Sequence, residues 1–359
     1  MDQMVSGSLL NETFRGRRVL VTGDTGFKGS WLCLWLHQLG AQVFGFALPP
    51  EREKDHYTLL GLESLIEHVT GDIRDCTAVH KAFDGFQPEV LFHLAAQPLV
   101  RYSYQEPKLT FDTNVAGSVN VLEAARHCDS LKAVVYVTSD KCYRNKEWIW
   151  GYREDDALGG HDPYSASKAA AELVFSAYQD SYFNARPNFG AATVRAGNVI
   201  GGGDWAADRL VPDAIRALEA GKPIHLRNPH STRPWQHVLE PLSGYLLTAA
   251  RLLTEPKRFA GPWNFGPDAQ SIRTVGDLVQ MIIAEWGSGK VEISPEADAP
   301  HEARLLHLNC DKAHQLMQWR PKWDAKRAVA ETVGWYRGVF EGQSALEISR
   351  RQILEYMET

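Results

Sequence analysis

Within about thirty residues this chain gathers five side chains able to pass protons or hold charge. Ser139, Asp140 and Lys141 lie in the run Val137-Thr138-Ser139-Asp140-Lys141-Cys142-Tyr143, and Tyr164 and Lys168 follow. Asp162-Pro163 reads as a helix start, with Asp as N-cap and Pro at the first position. Tyr164 and Lys168 then stand at i and i+4 on one helical face. An ordinary phenol near pKa 10 is no base at neutral pH; its pKa has to fall by roughly three, which costs about 4 kcal/mol. A neighbouring ammonium gives a field of the right sign. Tyr104-Gln105-Glu106-Pro107-Lys108 repeats the YxxxK spacing, but Pro107 disrupts a running helix, so this copy is read as loop.

The elements that must position this cluster alternate. Arg17–Thr22 is a buried-strand pattern, and Phe27–Leu39 a helix with Trp31, Leu32, Trp35, Leu36 and Leu39 on one face. Strands are expected at 42–47, 68–70, 90–95, 133–138 and 190–195, and helices at 76–83 and 109–127. Apolar strands without period-2 alternation imply helices on both faces. The expectation is an α/β fold: a Rossmann-type doubly wound parallel sheet with a smaller C-terminal substrate-binding lobe. Residues 1–16 are read as an irregular N-terminal extension, 17–195 as the dinucleotide-binding domain and 196–359 as mainly the lobe, interwoven at a soft boundary. In the lobe, 208–219 and 274–286 read as helices, the second capped by Thr274, and 223–235 as mostly irregular. Further helices are expected from Cys310 to the end.

Thr22-Gly23-Asp24-Thr25-Gly26-Phe27-Lys28-Gly29 fits TGxxGxxG between a strand and a helix. That context suits a pyrophosphate: a tight turn, a backbone without Cβ, and free N–H groups at a helix N-terminus. Asp72 and Ile73 after the third strand, and Leu94, Ala95, Ala96 and Gln97 after the fourth, are read as further dinucleotide contacts. The second strand ends without an acid; the first is Glu51, and Arg52 and Lys54 would suit a 2′-phosphate. NAD is preferred to NADP without being decided.

Composition narrows the classes. The chain has 359 residues and a net charge of −6, which argues against a nucleic-acid surface. Five cysteines without a CxxC pair read as reduced thiols, and thirteen histidines without HxxxH or HxH spacing as no metal site. The apolar stretch 31–50 is interrupted by polar residues, so no membrane span is expected, nor a leader, since Asp2 and Glu12 occupy the wrong positions. A cytoplasmic protein is expected.

The glycine fingerprint, Ser139 after a strand and YxxxK on the next helix resemble the extended short-chain dehydrogenase/reductase superfamily. Longer strings narrow the likeness: Ser139–Tyr143, Gly159–Ser165, Arg195–Trp205 and Arg233–Val238 resemble the nucleotide-sugar 4,6-dehydratases, specifically those acting on CDP-glucose. The resemblance implies NAD as cofactor, CDP-glucose as substrate and a homodimer paired through helices near 109–127 and 163–180. It implies that Tyr164, supported by Lys168 and Ser139, takes the O4 proton, and that Asp140 protonates the departing C6 hydroxyl. Lys141 stands where relatives carry a glutamate base for C5. A cationic Lys141 beside Asp140 would spoil both roles unless the pair titrates as one unit; alternatively Lys141 only orients substrate. Asn198, Arg209 and Arg233 align with substrate-binding positions, the arginines suiting a pyrophosphate.

Other outcomes stay open. An epimerase or decarboxylase on the same fold would use Tyr164 and Lys168 without needing an acid at Asp140. A catalytically silent NAD-binding protein would be expected to have lost one of those two, and both are present.

Overall fold

The computed structural model describes residues 2–268, 271–293 and 305–359, with side chains from residue 7 onward. Seven parallel strands form one sheet: β1 (Arg18–Thr22), β2 (Gln42–Ala47), β3 (Glu67–Thr70), β4 (Val90–His93), β5 (Ala133–Val137), β6 (Gly190–Arg195) and β7 (Gly261–Asn264), in the order β7-β6-β5-β4-β1-β2-β3. Strand order reverses between β1 and β4, and the crevice outside their carboxyl ends is where such sheets bind ligands. Both faces are covered. Val135 and Val137 of β5 enter one apolar core and Val134 and Tyr136 the other, which is why the strand reads as an unbroken apolar run.

The main helices are α1 (Asp2–Phe14), α2 (Phe27–Gln38), α3 (Cys76–Phe86), α4 (Ser118–His127), α5 (Pro163–Ser181), α6 (Leu210–Glu219), α7 (Leu239–Thr254), α8 (Val275–Trp286), α9 (Ala325–Phe340) and α10 (Ala345–Glu358). Asp162 caps α5 as expected, accepting from Ser165 N at 2.9 Å, and Thr274 caps α8 in a reciprocal capping box with Asp277.

Several expectations are corrected. Residues 2–14 are helical, not irregular, and Leu10 and Phe14 are buried in the core beneath α7 and α10. The helix foreseen over 109–127 is interrupted by a π-turn at Asp112–Gly117. Tyr104–Lys108 is not loop: one helix ends at Gln105 and Pro107 opens another, which puts the two residues on different helices. The stretch 223–235 contains two strands, Ile224–Leu226 pairing with Val291–Ile293 and Thr232–Pro234 pairing with Ile272–Thr274.

Candidate active site

The glycine loop is shaped by close backbone approaches. Gly23 has φ +78°, and a Cβ there would lie 2.7 Å from the Ala95 nitrogen; one on Gly29 would lie 2.0 Å from the Gly23 oxygen. Gly26 is exposed as the N-cap of α2 and offers no side chain to the first turn, so those N–H groups remain available to an anion. This cradle fits the pyrophosphate of a dinucleotide. Thr25 donates to the Leu48 carbonyl at 2.9 Å, pinning the end of β2 to the loop.

The second-strand end carries no carboxylate, as its sequence indicates. Leu48 is exposed there, and Glu51 lies 3.5 Å from Arg52. Arg52 donates to the Trp205 carbonyl, while the Lys54 ammonium lies 3.6 Å from Glu219 and 5.1 Å from the centre of the Trp205 ring, so both cations are tied toward the lobe. Asp72 is gripped by Arg74 through contacts at 2.9 and 3.0 Å, which hold its carboxyl below the usual range. Ile73 is buried against Gly117. Leu94 and Ala95 approach β1 through Thr22, and Ala96 is half-buried. The Gln97 side chain is spent within its own loop, donating to Thr110 and to the Leu99 carbonyl. Sequence reasoning missed Asn114, inside the π-turn. Its amide group bonds both backbone polar groups of Gln97 and donates to Ser167 at 2.9 Å, tying the loop after β4 to α5.

At the carboxyl end of β5, Ser139 donates to Asp140 Oδ1 at 2.9 Å and accepts from the Lys141 backbone N–H at 3.2 Å. The Tyr164 hydroxyl lies close enough to the same Ser139 for that hydroxyl to act on its proton affinity. Ser139, Asp140, Tyr164 and Lys168 are all buried. Burial pushes the Tyr164 phenol up to about 12 and the Lys168 ammonium down to about 8. The protein alone therefore does not supply the depressed phenol that the sequence reading calls for. No ion pair joins Lys141 to Asp140 among the described residues. A cation close enough for Asp140 to act on its charge is Lys28, from the glycine loop. Burial lowers Lys28 to about 8; Arg209 and Lys168 also lower it, while Asp140 and Asp204 oppose the shift. Its ammonium lies 5.9 Å from the centre of the Tyr245 ring, whose buried hydroxyl has no hydrogen-bond partner among the described residues.

Below this layer lies a buried network that the sequence reading also missed. Glu172, one turn after Lys168, accepts from Thr138, from Thr193 at 2.8 Å and from Arg195 through two contacts at 2.8 Å. Arg195 continues to Tyr143, and Tyr143 to Asn264 at 2.8 Å on β7. The i, i+4, i+8 spacing of Tyr164, Lys168 and Glu172 was the available signal.

The expected ligand contacts separate. Arg209 bonds Asp204 at 2.8 Å and lies close enough to Tyr164 and Lys28 to act on their charges, at the reacting end of the cleft. Arg233 lies on Thr232–Pro234, directly opposite Arg273 on the antiparallel strand. Asn198 adopts φ +49°, and its carbonyl accepts from Gln236 N.

A protein-family model described as GDP-mannose 4,6 dehydratase matches residues 20–332. The CDP-glucose 4,6-dehydratase of Salmonella typhimurium is 47% identical over 348 residues, covering 96% of this chain and 97% of that protein. The CDP-paratose 2-epimerase of Salmonella typhi is 31% identical, covering 89% and 98%. Among solved structures, the dTDP-glucose 4,6-dehydratase of Bacillus anthracis in complex with NAD superposes with a TM-score of 0.75 at 23% identity, covering 92% of this chain and all of that one (100%).

Proposed function

The chain belongs to the GDP-mannose 4,6 dehydratase family, and from that premise we propose that it converts CDP-glucose to CDP-4-keto-6-deoxyglucose with NAD as cofactor. The reaction is C4 oxidation, loss of water across C5 and C6, and return of the hydride to C6. The observation that carries this reading is a carboxyl beside the oxidation site: Asp140 is buried and hydrogen-bonded to Ser139, which also contacts the Tyr164 phenol. A 4-epimerase needs no such acid. CDP as the nucleotide rests on the 47% identity to the Salmonella typhimurium enzyme.

NAD, when bound, supplies an acceptor and donor for the hydride; Gly23, Thr25, Gly26, Phe27, Lys28 and Gly29 would hold its pyrophosphate. Asp72, Ile73 and the 94–97 loop would border its adenosine and nicotinamide ends. Tyr164, Ser139 and Lys168 serve the oxidation at C4, Asp140 protonates the leaving O6, and Lys141 is the candidate base at C5. Asn198, Arg209 and Arg233 bind the nucleotide diphosphate, Arg209 starting from its bond to Asp204. The Rossmann unit of residues 17–195 holds the cofactor and 196–359 mainly the nucleotide sugar. The reading includes a homodimer through the helices near 109–127 and 163–180, supported by the exposed Phe111, Leu173 and Tyr182 on or next to those helices, in a cytoplasmic protein.

Incubation with CDP-glucose, dTDP-glucose and GDP-mannose, each with and without added NAD, tests the reading. The expected result is a product absorbing strongly in alkali from CDP-glucose. An alkali-silent epimer, or turnover of another nucleotide sugar only, overturns it.

A further inference from the structure

Oxidation and elimination make opposite proton demands on one small cluster. Oxidation at C4 releases the O4 proton, whereas loss of the C6 hydroxyl as water consumes one. The C5 proton is removed by a base and returned after C6 has regained the hydride lost at C4, so it cancels. Over a cycle, one proton must therefore travel from the phenol that receives it to the carboxyl that spends it. Those two groups already flank one hydroxyl: Ser139 donates to Asp140 Oδ1 at 2.9 Å, and the Tyr164 phenol lies close enough to the Ser139 hydroxyl to be acted on by it.

We propose that Tyr164, Ser139 and Asp140 form an internal proton relay, in which Asp140 is first the terminal base of oxidation and then the acid of elimination. The O4–H bond breaks toward the Tyr164 oxygen as the phenol proton passes to Ser139 and the Ser139 proton to Asp140. The carboxylic acid so formed gives its proton to O6 as the C6–O6 bond breaks, releasing water and restoring the carboxylate. No tyrosinate is needed at rest, in keeping with a phenol that burial holds up at about 12. No protonated Asp140 is needed at rest either, because the relay itself delivers the proton it spends. The carboxyl is wedged in place, since a Cβ on Gly197 would fall 1.9 Å from Asp140 Oδ2. The Lys141 N–H occupies one acceptor direction of Ser139, leaving the other for the phenol.

The inference rests on the dehydratase reading and separates from it in one experiment. Asp140→Asn keeps the shape of the side chain but cannot accept the relayed proton. In a single turnover, reduced cofactor is followed by its ultraviolet absorbance and the 4-keto product by alkali absorbance. A relay slows formation of the reduced cofactor itself, by roughly 100-fold at neutral pH, the usual yield of a positioned base. That rate then climbs with pH in the variant while the wild-type rate stays level. Ser139→Ala behaves alike and Ser139→Thr recovers most of the rate. If Asp140→Asn forms reduced cofactor at the wild-type rate and merely stalls before elimination, Asp140 is an acid only and the relay is wrong. A readout without turnover is the titration of ring-labelled Tyr164 by NMR in the cofactor-free protein. Asp140→Asn should lower its pKa, because the Asp140 charge helps raise it; an unmoved titration also counts against the relay. The wild-type product from CDP-glucose tests the dehydratase reading on its own, and the variants are run on whichever nucleotide sugar the wild type oxidises.

Discussion

Glu172 bonds neither the phenol nor the carboxyl of the reacting layer, yet it acts on the charge of Lys168, one turn after the phenol. Its side chain is 3% exposed and paired with Arg195, also 3% exposed. Removing one partner of such a pair leaves the other charge buried and uncompensated, at about 3–5 kcal/mol. It also withdraws the negative neighbour that partly offsets the burial of Lys168. Glu172→Gln should therefore destabilise the protein by about that amount and move Lys168 below its present value of about 8. If catalysis uses the ammonium form, the alkaline limb of the kcat profile shifts to lower pH in the variant. Denaturant melts and a pH–rate profile check both; a destabilised variant with an unmoved limb would make Glu172 purely structural.

The loop after β1 shows how an element converts sequence spacing into a binding surface, and why spacing alone is only partly readable. Gly29→Ala would place a methyl group 2.0 Å from the Gly23 carbonyl, a backbone atom that can move only with the whole turn. NAD affinity should fall at least tenfold, read by fluorescence titration, whereas Gly85→Ala, with nothing within 4 Å, should leave it unchanged. Equal affinities would mean the turn absorbs the methyl. The strands around this loop were legible because both faces are covered, so each appears as an apolar run. The helix Asp2–Phe14 was not legible, since its place in the core rests on few residues, Leu10 and Phe14 among them, packed beneath helices over 200 residues away in sequence. In the same way YxxxK and Ser139-Asp140 are local signals. Lys28 beside Asp140, Asn114 bonding Ser167 and Arg273 opposite Arg233 arise only when distant segments meet.

Three buried histidines bind the whole molecule to its neutral form. His56 lies between Ser30 at 2.8 Å and Ser349 at 3.1 Å and stacks on Trp31. His93 lies between Thr22 at 2.6 Å and Ser118 at 3.1 Å, and the His237 ring packs against Trp31 and Trp323. Burial pushes each of the three down to about 3. A histidine in the unfolded chain titrates near 6.5, so between pH 6.5 and 3 the unfolded state holds more protons and stability falls as pH falls. Each site contributes at most about 1.4 kcal/mol per pH unit across that window, and nothing above it. Urea midpoints should therefore drop from pH 7 to pH 5, before most carboxylates titrate. His237→Gln, at a ring whose Nε2 has no partner among the described residues, should show a shallower slope. A midpoint unchanged between pH 7 and 5 would mean that these rings gain protons without opening the fold. Because His56 and His237 lie between residues of the cofactor-side helix α2 and the C-terminal region, the same acid titration should loosen the two halves of the cleft together. Cofactor affinity and global stability are then expected to decline over one pH range, and a loss of affinity well above pH 6.5 would assign it to another group.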